Sequence, residues 1–260
     1  MAQPAPDILD RLAWAEQTAL SVGELLLGSF RTGVAAERKE RGVVTELDRR
    51  AEALIAGSLG EAFPGDGLLA EEGTGREATS PYRWVVDPLD GTTNYVAGLP
   101  MFAVSLGCLD AAGAVLGVVH APALGDTFTT VRGGGFDRPE ASAGADLGAA
   151  VFIVNKAYHP APLLWSVAGG LMASVRAFRT FGCVSLDLAL VAAGRADGLV
   201  LLPADPWDVA AGMLLVREAG LSAGDLAGGA EPDGRRGILA TSGALFANAA
   251  GLLHVPPLAG

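Results

Sequence analysis

Apolar residues near the amino end recur at steps of three and four: Ile8, Leu12, Ala15, Ala19, Val22, Leu26 and Phe30. One continuous stripe of that period marks an amphipathic helix with a single buried face, and Gly33 fits its terminator. A second helix is predicted from about Thr45 to Leu59, closed by the FPGDG turn at 63–67. The apolar runs then shorten. LLAEE at 68–72 and RWVV at 83–86 read as strands. FAVSLGCL at 102–109 and AVLGVVHA at 114–121 read as a hairpin around a glycine-containing turn, and DTFTTV at 126–131 as a further strand.

Glycine, alanine and proline concentrate from the GGG at 133–135 to about Gly148, the best internal boundary. Beyond it the period alternates. AAVFIV at 149–154 predicts a strand, Leu163 to Ala173 a helix, RAFRTF at 176–181 a strand and Ser185 to Ala193 a helix. GLVLL at 198–202, a helix from Trp207 to Ala219, GILATS at 237–242 and a last helix near Gly243 to Leu253 complete the series. This layered succession predicts an α+β fold of mixed α/β layers. The expectation is a single domain over 1–260, with subdomains of about 1–140 and about 145–260.

Composition narrows the function. Half of the residues are hydrophobic and 18% are charged, which excludes intrinsic disorder. Asp and Glu number 29 against 18 Lys and Arg, a formal net charge of −11. Nucleic-acid affinity comes largely from neutralising phosphates, so that surface excludes nucleic acid as a general partner. An acidic protein that binds a small phosphate needs local positive charge, and bound cations are its readiest source. The clusters RKER at 38–41, Arg49-Arg50 and Arg235-Arg236 are short and mixed with acids, as solvated surface is. Cys108 and Cys183 have no CxxC spacing and no neighbouring His, so they read as buried, reduced core residues. The amino-terminal MAQPAPDILDRLAWAE has neither a basic n-region nor an apolar h-region. The apolar run from Leu186 to Leu202 is broken by Asp187, Arg195 and Asp197 too soon for a membrane span. A cytoplasmic protein without a membrane partner is expected.

Three acidic clusters stand at the borders of predicted elements. Glu71-Glu72 follows LLA, Asp87 and Asp90 follow Trp84-Val85-Val86 within WVVDPLDGTTN, and Asp208 opens the helix of PADPWDVAAG. Taken singly these are a solvated loop, an Asp-Pro turn and a helix start. Together they are something else, because ligands gather at strand ends of layered folds. Converging carboxylates repel one another and take up protons unless a cation sits between them. Oxygen ligands without His or Cys favour Mg²⁺ or Mn²⁺ over zinc. Pro88 stiffens the DPLDGTT turn, Gly91 lets the backbone approach a ligand, and Thr92-Thr93 start a short helix whose amides suit an anion. A two-metal carboxylate site beside a phosphate-cradling turn is equipment for hydrolysing a phosphate monoester.

Asp48, Glu71-Glu72, DPLDGTT at 87–93 and WDVAA at 207–211 follow in order the pattern D…EE…DPxDGT…WDxxA. In this the chain resembles the inositol monophosphatase family, a branch of the Mg²⁺-dependent, lithium-inhibited phosphatases. RKERGVVTELD before Asp48 and LVREAG after the WD motif agree with it, and the likeness runs from the first helix to about Gly243. The resemblance implies a five-layer αβαβα sandwich, commonly as a homodimer, acting on a small phosphorylated metabolite. It implies two or three Mg²⁺: Glu71, Asp87 and the Leu89 carbonyl for the first, Asp87, Asp90 and Asp208 for the second, and a weaker third near Glu71. Glu71, Thr92 and Asp48 would be catalytic, Thr92 with Asp48 positioning and helping to deprotonate the attacking water. The amides of Gly91 and Thr92 would bind phosphate oxygens, and Asp90, Leu201 and Ser185 would contact substrate. Glu72 is expected behind Glu71, and Lys39 either at the surface or reaching the site.

The sequence also departs from that pattern. Members acting on inositol phosphate carry Glu seven residues before the WD aspartate, where this chain has Leu201. Ala70 replaces the usual Gly before the acidic pair, and the segment after Arg132 is shorter and richer in glycine. Substrate identity therefore stays open among inositol phosphate, histidinol phosphate, fructose 1,6-bisphosphate and 3′-phosphoadenosine 5′-phosphate. A regulatory binding protein on the same fold is the reading outside enzymes, as some bacterial members act with transcription machinery.

Overall fold

The stripe from Ile8 to Leu26 is the buried face of the first helix, α1 (Pro6–Ser29), whose Ala15, Ala19, Val22 and Leu26 are fully buried. The computed structural model describes residues 6–39, 42–137, 144–226, 228–229 and 233–254. Glu40 and Arg41 of the RKER cluster, and 138–143 of the expected boundary, lie outside them. After α1 come a hairpin, β1 (Ala36–Arg38) and β2 (Val43–Thr45), and then α2 (Glu46–Ala62). β3 (Gly67–Ala70), β4 (Gly75–Arg76), β5 (Arg83–Asp90), the short α3 (Thr92–Val96), β6 (Ala103–Asp110), β7 (Gly113–Ala121) and β8 (Asp126–Val131) follow. The second half runs β9 (Val151–Asn155), α4 (Ala161–Ser174), β10 (Ala177–Arg179), α5 (Val184–Ala192), β11 (Gly198–Leu201) and α6 (Pro206–Glu218). It closes with β12 (Ser222–Gly224), β13 (Ile238–Thr241) and α7 (Gly243–Ala250).

A six-stranded mixed sheet has the order β4-β3-β5-β6-β7-β8, and a five-stranded one the order β10-β9-β11-β13-β12. Three apolar cores separate the layers. α1 and α2 cover one face of the larger sheet through Leu47, Ile55, Trp84 and Leu106. α5 and α6 fill the space between the sheets, joined to both by Val119, Ile153, Leu188 and Met213. α4 and α7 close the outer face of the smaller sheet on Phe152, Val200 and Leu239. The result is the five-layer αβαβα sandwich. Alternation along β11 shows the logic: Leu199 and Leu201 face α5 and α6, whereas Val200 faces α4 and α7. α6 lies so close to the larger sheet that a Cβ on Gly117 would stand 2.8 Å from the Ala211 carbonyl oxygen.

Two expectations need adjustment. α1 ends at Ser29, and Arg31 takes the first left-handed conformation (φ 64°) before Gly33 does. β5 does not end at Val86 but continues to Asp90. Both cysteines are buried and free, and no helix among the described residues is long and apolar enough to cross a membrane.

Candidate active site

Side chains on a strand alternate between faces, so residues three apart, such as Asp87 and Asp90, ordinarily point to opposite sides. β5 avoids this. Its register against β6 moves from Asp87 opposite Ser105 to Asp90 opposite Ala103, three residues against two. That one-residue bulge returns both carboxylates to the face covered by α6, and Pro88, with no N–H to donate, sits in it without loss. α6 opens with Asp205 and Asp208 in a capping box, which sets Asp208 opposite the bulge. The Asp87, Asp90 and Asp208 carboxylates are buried and offer oxygens within 4.8 Å of one another.

Each member of this trio is fixed by a protein N–H. Leu89 N–H donates to Asp87 Oδ1 (2.9 Å), Asp205 N–H to Asp208 Oδ2 (3.1 Å), and Ser185 N–H and Oγ both to Asp90 Oδ2 (2.6 Å each). Burial, then the charges of Glu71, Asp90 and Asp208, push Asp87 well above the usual carboxylate range. Burial and then Asp90 do the same to Asp208. Burial also raises Asp90, against the opposing Ser185 hydrogen bonds. Such a cluster is relieved by protons or by a cation. Two oxygens bound to one ion at about 2.0–2.5 Å lie at most about 4–5 Å apart, so the trio is within the span of one ion. All donors are hard oxygens, which fits Mg²⁺ or Mn²⁺.

Glu71 stands beside Asp87 and outside that trio. Lys39, from the β1–β2 loop, donates to Glu71 Oε1 (3.2 Å) and also pairs with Glu72 Oε1. Burial raises Glu71 to about 7, against the lowering charge of Lys39. Lys39 therefore belongs to the site, and Glu72 stands behind Glu71 as expected. The pair is held by a residue sequence reasoning missed: buried Glu52 on α2 accepts from Glu72 N–H (2.7 Å) and Thr74 N–H (2.8 Å).

Asp48 reaches the same place from α2. Thr45 caps that helix, and its N–H (2.8 Å) and Oγ1 (2.6 Å) both donate to Asp48 Oδ2. Asp48 Oδ1 is thereby left to accept from Thr92 Oγ1 (3.1 Å), which also lies 3.0 Å from the Leu89 carbonyl oxygen. Thr45 was missed as well, although TELD at 45–48 is a legible capping box. Gly91, before Thr92, is left-handed (φ 85°), and a Cβ there would stand 2.8 Å from the Met101 carbonyl oxygen. No other residue fits.

These groups line a cavity of about 370 Å³, with Glu71, Asp87, Leu89, Asp90, Gly91, Thr92 and Asp208 on its wall. Two expected substrate contacts are not there. Leu201 is fully buried in the core shared with α5 and α6, because alternation on β11 turns it inward. Ser185 is also fully buried, committed to Asp90 by both its N–H and Oγ. The lining also takes in the end of β9 and the β9–α4 turn: Asn155, Lys156, Ala157 and Tyr158, none of them singled out by motif.

A sandwich with this carboxylate-floored cavity defines a phosphatase of the layered αβαβα class. The chain belongs to the inositol monophosphatase family, whose model matches residues 9–255. It is 41% identical over 196 residues to an inositol-1-monophosphatase of Mesorhizobium japonicum, covering 72% of this chain and 73% of that one. It is 37% identical over 226 residues to the Nus factor SuhB of Escherichia coli K12, covering 83% and 85%. The crystal structure of the extragenic suppressor protein suhB from Bartonella henselae superposes with a TM-score of 0.86 at 33% identity, over 92% of this chain and 96% of that one.

Proposed function

We propose that the protein is a Mg²⁺-dependent phosphomonoesterase that hydrolyses a small phosphate monoester with the chemistry of the inositol monophosphatases. The observation that carries this reading is the buried trio Asp87, Asp90 and Asp208 at the floor of a cavity bordered by Gly91 and Thr92. Asp87, Asp90 and Asp208 would hold one Mg²⁺, and Glu71, Asp87 and the Leu89 carbonyl another. When bound, Mg²⁺ supplies positive charge for the phosphate and the leaving oxygen and acidifies water. Thr92 Oγ1 orients the attacking water and takes its proton as the hydroxyl proton passes to Asp48 Oδ1. Thr45 keeps Asp48 turned to that task. The Gly91 and Thr92 amides donate to phosphate oxygens, and Ser185 holds Asp90 in place. Catalysis here is positioning plus electrostatics.

Family resemblance alone adds a cytoplasmic homodimer, two or three Mg²⁺ per site and inhibition by lithium. It also supports one domain over 1–260 with subdomains of about 1–140 and about 145–260. A second reading, a regulatory protein acting through partners, is favoured by the likeness to the Nus factor SuhB. Phosphate release separates the two. The panel is inositol 1-phosphate, fructose 1,6-bisphosphate, histidinol phosphate and 3′-phosphoadenosine 5′-phosphate, with Mg²⁺, with Mn²⁺ and with EDTA. Turnover that needs the cation and falls with lithium is expected. No release from any ester with Mg²⁺ would overturn the enzyme reading in favour of the regulatory one.

A further inference from the structure

We propose that Tyr158 is a specificity-determining residue that forms the leaving-group wall of the cavity, so that the site favours phosphate esters whose leaving group presents an aromatic or apolar face. This rests on the phosphatase reading and names its substrate class.

Tyr158 lines the same cavity as Glu71, Asp87, Asp90 and Asp208. Its ring lies beside the β1–β2 loop, where a Cβ built on Gly42 would stand 3.4 Å from Tyr158 Cε1. The residue is 38% exposed at the rim. Burial, then the charges of Asp208, Glu71, Asp87 and Asp90, hold its hydroxyl pKa well above the ordinary value.

The backbone brings Tyr158 there by force. Ala157, just before it, is left-handed (φ 47°), a conformation that residues with a Cβ seldom adopt and that persists only where the surroundings impose it. Here the imposing group is Asn155, whose Oδ1 accepts from Ala157 N–H (2.8 Å). Asn155 Nδ2 in turn donates to Asp187 Oδ2 (2.6 Å) on α5. Asp187 is fully buried, its Oδ1 has no hydrogen-bond partner, and the reaction does not use it. Asp187 and Asn155 are thus positioning residues for the turn that carries Tyr158.

The rest of the lining is mixed: Val43 and Val184 are apolar, and Thr93, Asn94, Lys156 and Thr180 are polar. The hydroxyls of a cyclitol need acceptors, and a site recognises them by groups left unpaired in their absence. The Asn155 amide is committed at both ends, and Asn94 Nδ2 is committed to the Met101 and Phe181 carbonyl oxygens (2.7 Å each). An aromatic leaving group gains from Tyr158 a ring contact that a glycerol ester lacks.

The test compares kcat/KM for phenyl phosphate and glycerol 2-phosphate, with Mg²⁺, on wild type, Tyr158→Ala, Tyr158→Phe and Asn155→Ala. Tyr158→Ala is expected to lower the phenyl-to-glycerol ratio about tenfold, the range of a lost aromatic contact, through KM rather than kcat. Tyr158→Phe restores the ratio. Asn155→Ala lowers it as Tyr158→Ala does, and the double variant goes no further. A ratio unchanged in Tyr158→Ala, or a loss carried by kcat for both esters, overturns the inference while leaving the phosphatase reading intact. Wild type that releases phosphate from neither ester overturns both.

Discussion

Thr45→Ala removes a hydroxyl that lies outside the cavity, yet it should slow the reaction. Thr45 Oγ1 donates to Asp48 Oδ2 at 2.6 Å and accepts from Leu47 N–H at 3.1 Å. Loss of a helix N-cap costs about 1 kcal/mol, and a hydrogen bond to a charged group about 1.5–3 kcal/mol. Both run through one oxygen atom, so they overlap, and about 2 kcal/mol is the expected loss of stability. For a chain of this size that is a fall in Tm of roughly 4–8 °C, readable by calorimetry. In Thr45→Ala, Asp48 keeps only the Thr45 N–H on Oδ2 and is freer to turn Oδ1 away from Thr92. A misplacement of that kind costs on the order of 10- to 100-fold in kcat, with KM little changed because the phosphate contacts are untouched. Burial raises the Asp48 pKa and the Thr45 hydroxyl opposes it, so the variant's acid limb should move to higher pH. Thr45→Ser restores the oxygen and should recover both Tm and kcat. A Thr45→Ala protein that loses Tm but keeps wild-type kcat and its pH profile would refute the assignment of Asp48 to the reaction.

Three further outcomes follow from the same geometry. Asp87→Asn removes a carboxylate that Glu71, Asp90 and Asp208 all repel. Activity should drop by orders of magnitude, and by scanning fluorimetry the apo protein should melt higher while its Mg²⁺-induced shift shrinks. An unaltered shift would count against the site. Asp87, Asp90, Asp208 and Glu71 are all held above their ordinary pKa. The fold therefore keeps protons that the unfolded chain releases, and stability present at low pH is lost as pH rises through the raised values, about 7 for Glu71. In EDTA, Tm should fall between about pH 5 and pH 8, and Mg²⁺ should remove the slope; a flat profile in EDTA would contradict the clustering. Leu201→Ala should cost about 2–5 kcal/mol of stability by denaturant titration without altering the ratio of activities on two esters. A changed ratio would return Leu201 to the cavity.

Much of this molecule was legible because its signals are local. The stripe from Ile8 to Leu26 needs only a helical period, and the hairpin of β6 and β7 only two long apolar runs around Gly113. β1, β2, β4 and β12 were not readable, since two or three residues are too few to show alternation and their pairing is decided by distant partners. Part of the acidic floor was legible for the same reason as α1: Asp87, Leu89, Asp90, Gly91 and Thr92 lie within six consecutive residues, whereas Glu71 and Asp208 come from other elements. Leu201 was misjudged because a distance along the chain from Asp208 does not say which face of β11 a side chain takes.

The leaving-group wall differs in kind. Asn155 and Asp187 are 32 residues apart, and nothing in either neighbourhood announces their bond. It exists because α5 packs on the face of the smaller sheet toward which Ile153 and Asn155 both point, one turn of alternation apart. Thr45, Glu52 and Ser185 act by similar means, each holding a carboxylate or its loop from a neighbouring element. The division follows from the chemistry. Charge at the floor must be concentrated, and a bulged strand brings Asp87 and Asp90 together within one short segment that Asp208 of α6 completes. Discrimination between leaving groups needs a surface facing that charge across several ångströms, which one segment cannot supply. It must come from another layer of the sandwich, and so from a remote part of the sequence. The floor then fixes the reaction while the β9–α4 turn chooses the ester, and substitutions in the two should act on kcat and on KM respectively.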